Sequence, residues 1–317
     1  MVMSKKALLV GINYIGTSNA LSGCINDVIN MKAYLLANGY KEADITMLTD
    51  NTPVKPTKSN ITHAFIDLIM ANASHCFFHY SGHGNWQRDS SKDDADGMDE
   101  TICPLDFLKA GMIVDDQFRG LLAQMPSTTI LTAVFDSCHS GTSLDLRYNV
   151  IKSKGTKVVV YSRPSTGFRI TNRGFMMHPP KPARPQQARP PRPPRPQPPP
   201  PRPQPPRPQP VRPPPPPPPP PLVWKSVPDD HYKETPGQVI LFAGCLDNQY
   251  SADGFEAGKA QGAMTFSLLE ALKGGNSKTW LQLLLDTRSV LASHGYAQTA
   301  ALSHGKTMDI NATASFC

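Results

Sequence analysis

The sequence predicts an α/β sandwich, with a mostly parallel central sheet and helices on both faces. Two observations carry that prediction. Short apolar runs without polar alternation recur along the chain, as strands buried on both faces require. Between them lie segments whose apolar residues follow helical spacing, the pattern expected of crossover helices.

Taken in order, Leu8–Ile15 reads as a first buried strand; the charge and short apolar stretch of MVMSKKALLV imitate a signal peptide, but Gly11, Asn13 and Gly16 break the run. Ile25, Val28, Met31 and Leu35 share a helix face, with Gly39 as its stop. Ile45–Leu48 is a short strand, and Ile61–Met70 a helix that carries Phe65, Leu68 and Ile69. His75–Tyr80 is a dense apolar strand that runs into Ser81-Gly82-His83-Gly84. After an acidic loop, Phe118–Met125 suggests a short helix, and Thr129–Phe135 a buried strand that ends at Asp136-Ser137-Cys138. Val158–Tyr161 reads as one more strand. Later come a strand at Val239–Gly244 and helices at Met264–Leu272 and Trp280–Leu291.

Composition divides the chain. Of 34 prolines, 27 fall between Pro179 and Pro221, in a stretch with eight Lys or Arg and no acid. Without it the net charge of +7 becomes about −1, so the basic balance belongs to a linker and not to a nucleic-acid groove. Too poor in large apolar residues to pack, the tract favours an extended polyproline rod of ~3.1 Å per residue. We read 1–178 and 223–317 as two halves of one domain, and 179–222 as a disordered insertion between them. Six cysteines (Cys24, Cys76, Cys103, Cys138, Cys245, Cys317) stand singly, which suits reduced thiols in a cytoplasmic setting. No apolar run approaches the roughly 18 residues of a membrane span. The N-x-[ST] triplets at Asn60, Asn72 and Asn311 are chance matches in that setting.

In parallel sheets, sites gather at the carboxyl ends of strands. His83 and Cys138 each sit just past such an end, in glycine-rich turns. Cysteine catalysis needs a thiolate, an imidazole to take its proton and donors for the oxyanion. Alone, Cys138 reads as a buried structural thiol and His83 as an ordinary loop residue; together they read as a dyad.

HYSGHG and DSCHSG resemble the His and Cys motifs of type I metacaspases, of the caspase-like cysteine peptidases. The resemblance spans about Lys5 to Ser162 and Gly237 to Gly305, and includes GCLDNQYSAD and GAMTFSLLEAL. It implies a caspase-like α/β sandwich, a His83–Cys138 dyad, and oxyanion donors at the backbone amides of Gly84 and Cys138. Caspases cut after Asp; metacaspases present acids to a basic side chain, and the matching positions are Asp27 with Cys24 nearby, Ser81 and Asp136. A charge-assisted contact to guanidinium or ammonium is among the stronger polar interactions. Asp27 as a first-turn helix acid and Asp136 as a turn cap are the plainer readings of those two.

The acids of DSSKDDADGMDET and IVDD repel one another unless solvated or bridged by a cation, and hard Ca²⁺ takes six to eight oxygens. The resemblance assigns Asp99, Asp115, Asp116 and Asp145 to one Ca²⁺ site; Asp93, Asp94 and Asp96 are set aside as solvated. The spacing is not that of an EF-hand.

The resemblance also implies a zymogen-like monomer that cleaves itself at basic residues, with Lys152, Lys154, Arg173 and Lys225 as candidates. Arg–Pro bonds inside the tract are poor targets, because the imide is stiff and lacks an N–H. Family members usually carry proline-rich sequence ahead of the first strand, whereas here Met1 almost abuts it. The tract holds motifs that suit polyproline-reading partners, Pro190-x-x-Pro193-x-Arg195 and Arg195-x-x-Pro198-x-x-Pro201; a passive spacer is the bland alternative. A catalytically silent scaffold displaying that rod, and an Asp-specific peptidase, are the competing functions. Cys245 reads as a buried strand-end thiol.

Overall fold

The computed structural model describes residues 4–88, 98–138, 140, 143–154, 222–244, 253–256, 259–273 and 277–316. The first part of the chain forms β1 (Lys5–Gly11), α1 (Cys24–Ala37), β2 (Ile45–Thr49), α2 (Lys58–Ile69) and β3 (His75–Ser81). It continues through β4 (Gly84–Arg88), β5 (Met98–Ile102), α3 (Phe107–Ala110), β6 (Ile113–Val114), α4 (Asp115–Leu122), β7 (Ile130–Asp136) and β8 (Tyr148–Lys154). Beyond residue 221 come β9 (Leu222–Pro228), β10 (Gln238–Ala243), β11 (Asp253–Glu256), β12 (Lys259–Gly262), α5 (Ala263–Leu272), α6 (Trp280–Ser293) and β13 (Ala301–His304).

Eight strands make one sheet in the order β2-β1-β3-β7-β10-β13-β8-β9. The first five are parallel, and β13, β8 and β9 continue it antiparallel. β3 is buried at all seven positions and β7 at six of seven, as the unbroken apolar runs foretold. Alternate residues of each strand face opposite cores. On one face Leu8, Val10, Phe78 and Phe135 meet Phe65 of α2 and Phe118 of α4. On the other, Leu9, Phe77, Val134 and Phe242 meet Met31 of α1, Leu268 of α5 and Leu284 of α6. The mostly parallel sheet with helices on both faces is therefore as expected.

Helix ends follow local chemistry. Thr57 caps α2 by accepting from the Asn60 amide, and Thr279 with Gln282 forms a capping box on α6. Gly39, at φ +87°, takes the left-handed turn that ends α1.

The structure also moves some boundaries. β1 begins at Lys5 because both lysines find acceptors, Lys5 on the Asn38 carbonyl and Lys6 on Asp44. It ends at Gly11, so Asn13–Ile15 belong to a loop. α4 starts at Asp115, three residues before the expected helix. The antiparallel strands β8, β9 and β13 and the two small sheets, β4-β5-β6 and β11-β12, were not anticipated. The expected strand at Val158–Tyr161, nearly all of the proline tract with its polyproline motifs, Arg173, Cys245, Cys317 and Asp93, Asp94 and Asp96 lie outside the described residues. Among the described residues no helix is long and apolar enough to cross a membrane. Cys24, Cys76, Cys103 and Cys138 are all thiols.

Candidate active site

Gly11, Ser81 and Asp136 lie side by side in register at the carboxyl ends of β1, β3 and β7. The loops that leave these three strand ends therefore start together, at one end of the sheet. His83 and Cys138 each stand two residues past the Ser81–Asp136 pair. Gly84 and Cys138 then touch: a Cβ built on Gly84 would lie 2.0 Å from the Cys138 carbonyl oxygen and 3.2 Å from its amide nitrogen. Only glycine allows that approach, which brings the Cys138 turn against the residue next to His83. The sulfur-bearing residue is half-buried, and so is His83.

The imidazole is fixed by its surroundings. His83 Nε2 lies 2.8 Å from the Asn19 carbonyl oxygen. A carbonyl only accepts, so Nε2 carries the proton, and in the neutral ring Nδ1 is the basic nitrogen. The His83 amide donates to the Tyr14 hydroxyl at 3.0 Å, and its carbonyl accepts from the Tyr80 hydroxyl at 2.7 Å. Burial pushes both phenols well above their usual range, so they stay neutral donors. Burial likewise raises the Cys103 thiol, with the nearby Cys138 charge adding to it, so Cys103 is an inert neighbour.

Next to this pair two acids are held around one glycine. Asp27 is fully buried on α1, one turn after the buried Cys24; it accepts from the Ser81 hydroxyl at 2.7 Å and from the Gly262 amide at 2.8 Å. Asp136 accepts from the Thr265 amide at 2.7 Å, in the first turn of α5, where the helix dipole favours a carboxylate. Both acids crowd the same glycine: a Cβ on Gly262 would sit 2.2 Å from Asp136 Oδ2 and 2.8 Å from Asp27 Oδ2. Behind them His79 is fully buried, 3.0 Å from Thr265 Oγ1, and burial lowers its pKa to about 3. It is neutral and supplies no positive charge. Asp27, Ser81 and Asp136 are thus brought together, with Cys24 one turn before Asp27 on α1, and Asp136 also satisfies an amide in the first turn of α5.

The expected cation ligands are brought near one another less tightly. Asp99, Asp115 and Asp145 are buried, and so is Glu100, an acid of the same stretch that the resemblance had not assigned. The Glu100 amide donates to Asp115 Oδ2, and the Asp116 amide to Asp115 Oδ1 at 2.9 Å. Arg119 of α4 reaches the Asp145 carbonyl at 3.0 Å, which ties that turn to the helix that Asp115 begins. Their oxygen chemistry suits a hard cation. Even so, among the described residues no three His, Cys, Asp or Glu side chains form a group that could hold a metal ion.

Sequence reasoning missed Tyr14, Asn19, Tyr80, Gly262 and Thr265. Gly262 carried a faint signal as the glycine that opens GAMTFSLLEAL. Tyr14 carried none, since its polar partners lie far away in the sequence, and Tyr80 read simply as an apolar strand residue inside HYSGHG.

Comparisons with known proteins converge on one family. The family described as metacaspase, peptidase C14 domain matches residues 5–147. Metacaspase-1 of Cryptococcus neoformans var. neoformans is 36% identical over 314 residues, which cover 97% of this chain and 64% of that protein. The chain therefore spans less than two thirds of that relative's length. Metacaspase-1 of Mycosarcoma maydis is 35% identical, with 97% of this chain and 72% of its own length covered. For Metacaspase-1 of Ajellomyces capsulatus the figures are 35%, 94% and 79%. A crystal structure of a Geobacter sulfurreducens protein shares the fold, with a TM-score of 0.57 at 20% identity, covering 99% of this chain and 98% of its own.

Proposed function

This chain belongs to the metacaspase family, and from that premise we propose that it is a cysteine endopeptidase that cuts after Arg or Lys and requires calcium. The observation that carries the reading is the contact of Gly84 with the Cys138 backbone, which sets the thiol turn against the histidine turn.

The chemistry comes from that neighbourhood. Nδ1 of His83 takes the Cys138 thiol proton, because Nε2 is committed to the Asn19 carbonyl. The thiolate attacks the scissile carbonyl carbon, and the amides of Gly84 and Cys138 are the donors assigned to the developing oxyanion. The protonated imidazole then gives its proton to the leaving amine, and water hydrolyses the thioester with His83 again as base.

Specificity rests on Asp27 and Asp136. Two carboxylates held by backbone amides around one glycine, above a neutral His79, favour a cationic guest. Guanidinium is the better match, because it can meet both acids with directed N–H groups. An aspartate side chain would meet repulsion in the same place.

Calcium would be held by Asp99, Asp115, Asp116 and Asp145. When bound, it supplies the positive charge that offsets the burial of these carboxylates. Asp99 pairs with Gln87 and Ile102 with Gly84 across β4 and β5, so one ladder joins the strand that carries Asp99 to the glycine assigned to the oxyanion.

The test is hydrolysis of Arg-, Lys- and Asp-terminated fluorogenic peptides, with calcium or with chelator, by the native chain and by Cys138→Ala. Turnover of Arg and Lys peptides alone, lost in chelator and in Cys138→Ala, is the expected result. A rate unchanged by chelator would remove the calcium requirement, and Asp-peptide turnover the acidic pocket. Full activity in Cys138→Ala would sink the proposal.

A further inference from the structure

Tyr14 occupies a position that ordinary packing does not call for. It is almost completely buried, yet its backbone holds φ at +49°, a left-handed conformation that a bulky residue rarely adopts. The strain is held from both sides by one carboxylate: Asp50 accepts from the Asn13 amide at 2.7 Å and from the Ile15 amide at 3.0 Å. The result aims the phenol at His83. The two ring centroids are 4.7 Å apart with planes tilted by 35°, so the aromatic face backs the imidazole. Phe107 closes on the phenol edge-on at 6.2 Å.

The hydroxyl has a second task. It accepts from the His83 amide and donates to the Cys103 carbonyl at 2.6 Å. Tyr80, 3.3 Å away hydroxyl to hydroxyl, donates to the His83 carbonyl, which also accepts from the Cys103 amide at 3.1 Å. Both backbone polar groups of His83 are therefore held by buried partners, while the ring is held by Tyr14 on its face and by the Asn19 carbonyl at Nε2. Tyr14 and Asn19 belong to the same loop after β1. That loop is a platform for the imidazole, separate from the turn that carries it.

We propose that Tyr14 is the positioning residue for His83, set in its strained backbone by Asp50, and that loop 13–19 exists to fix the direction of the imidazole toward Cys138. The inference rests on the assignment of His83 and Cys138 as a dyad. It assigns Tyr14 no contact with substrate and no proton transfer: the residue acts through the orientation of another group.

The experiment measures kcat and KM separately on an Arg peptide for Tyr14→Leu, Tyr14→Phe and Asp50→Ala, with His83→Ala as the control for the dyad. A small misplacement of a reacting group can cost about 100-fold, and that is the loss in kcat expected for Tyr14→Leu, with KM within about twofold. Tyr14→Phe keeps the ring and is expected to recover roughly tenfold of that loss, and Asp50→Ala to show a kcat loss of about tenfold, on the same reasoning. Should Tyr14→Leu fail to melt cooperatively, Tyr14→Phe and Asp50→Ala decide the matter, since each removes polar contacts and little packing volume from the core. Native kcat in both, or losses confined to KM, overturns the proposal. An active His83→Ala would instead overturn the dyad, so the two failures are distinguishable.

Discussion

Gly262 shows how finely Asp27 and Asp136 are set at the level of single residues. Its amide holds Asp27, and its Cα faces Asp136 so closely that no side chain fits. In Gly262→Ala the new methyl must displace at least one of the two carboxylates. We expect kcat/KM on Arg peptides to fall roughly 100-fold, the scale of a misplaced binding group, while alkylation of Cys138 by iodoacetamide continues at nearly the native rate. A native kcat/KM in this variant would show that the two acids do not form the specificity pocket. His83 and Cys138 stood out in the sequence because each follows the end of an apolar strand in a turn of glycine and polar residues. Tyr14 did not, because the contact that defines it spans 69 positions and depends on a backbone angle no pattern encodes. Gly262 was hidden for a similar reason: its partners lie on two other elements.

At the level of elements, the ribbon of β8 and β9 bears on the self-processing that the family resemblance implies. Every residue from Tyr148 to Lys154 is matched in antiparallel register with Pro228 to Leu222. A protease substrate must lie extended in the cleft with its own backbone groups available, so cleavage at Lys152 or Lys225 requires this ladder to open. Side chains add to the cost, because Trp224 lies beneath both Lys152 and Arg288, at 5.9 and 4.9 Å. Self-processing under calcium is therefore expected at basic residues of 155–178, with Arg173 the leading candidate and Lys152 and Lys225 spared. Intact-mass measurement over a calcium time course checks this, and an early fragment ending at Lys152 or Lys225 would contradict it. The ribbon itself could not be read from sequence. YNVIKSK and LVWKSVP mix charge with apolar residues because they form the outermost ribbon of the sheet, with β9 at its edge, and most of their described side chains are only partly buried or exposed. The central strands were readable because burial on both faces leaves them few polar positions.

For the whole molecule, strand order decides whether the parts are separable. β7 belongs to the first part of the chain and pairs with β10 of the second, and β13 of the second part lies between β10 and β8. The two segments are interleaved within one sheet. The face covered by α1 is completed by Ile240, Phe242, Met264, Leu268, Leu283, Leu284 and Leu291, all from beyond residue 221. Each buried side chain of this size contributes on the order of 2 kcal/mol, so losing seven removes an amount near the upper end of the roughly 5–15 kcal/mol that holds a typical domain together. Residues 1–178 expressed alone should therefore show no cooperative melt and no peptidase activity. Co-expressed with 222–317, they should co-purify as a complex and regain calcium-dependent turnover of Arg peptides, because every pairing in the sheet is then available without a covalent link through the proline tract. A cooperative transition in 1–178 by itself would mean that the first part carries its own core, and the sheet order would then be a consequence of folding and not its requirement.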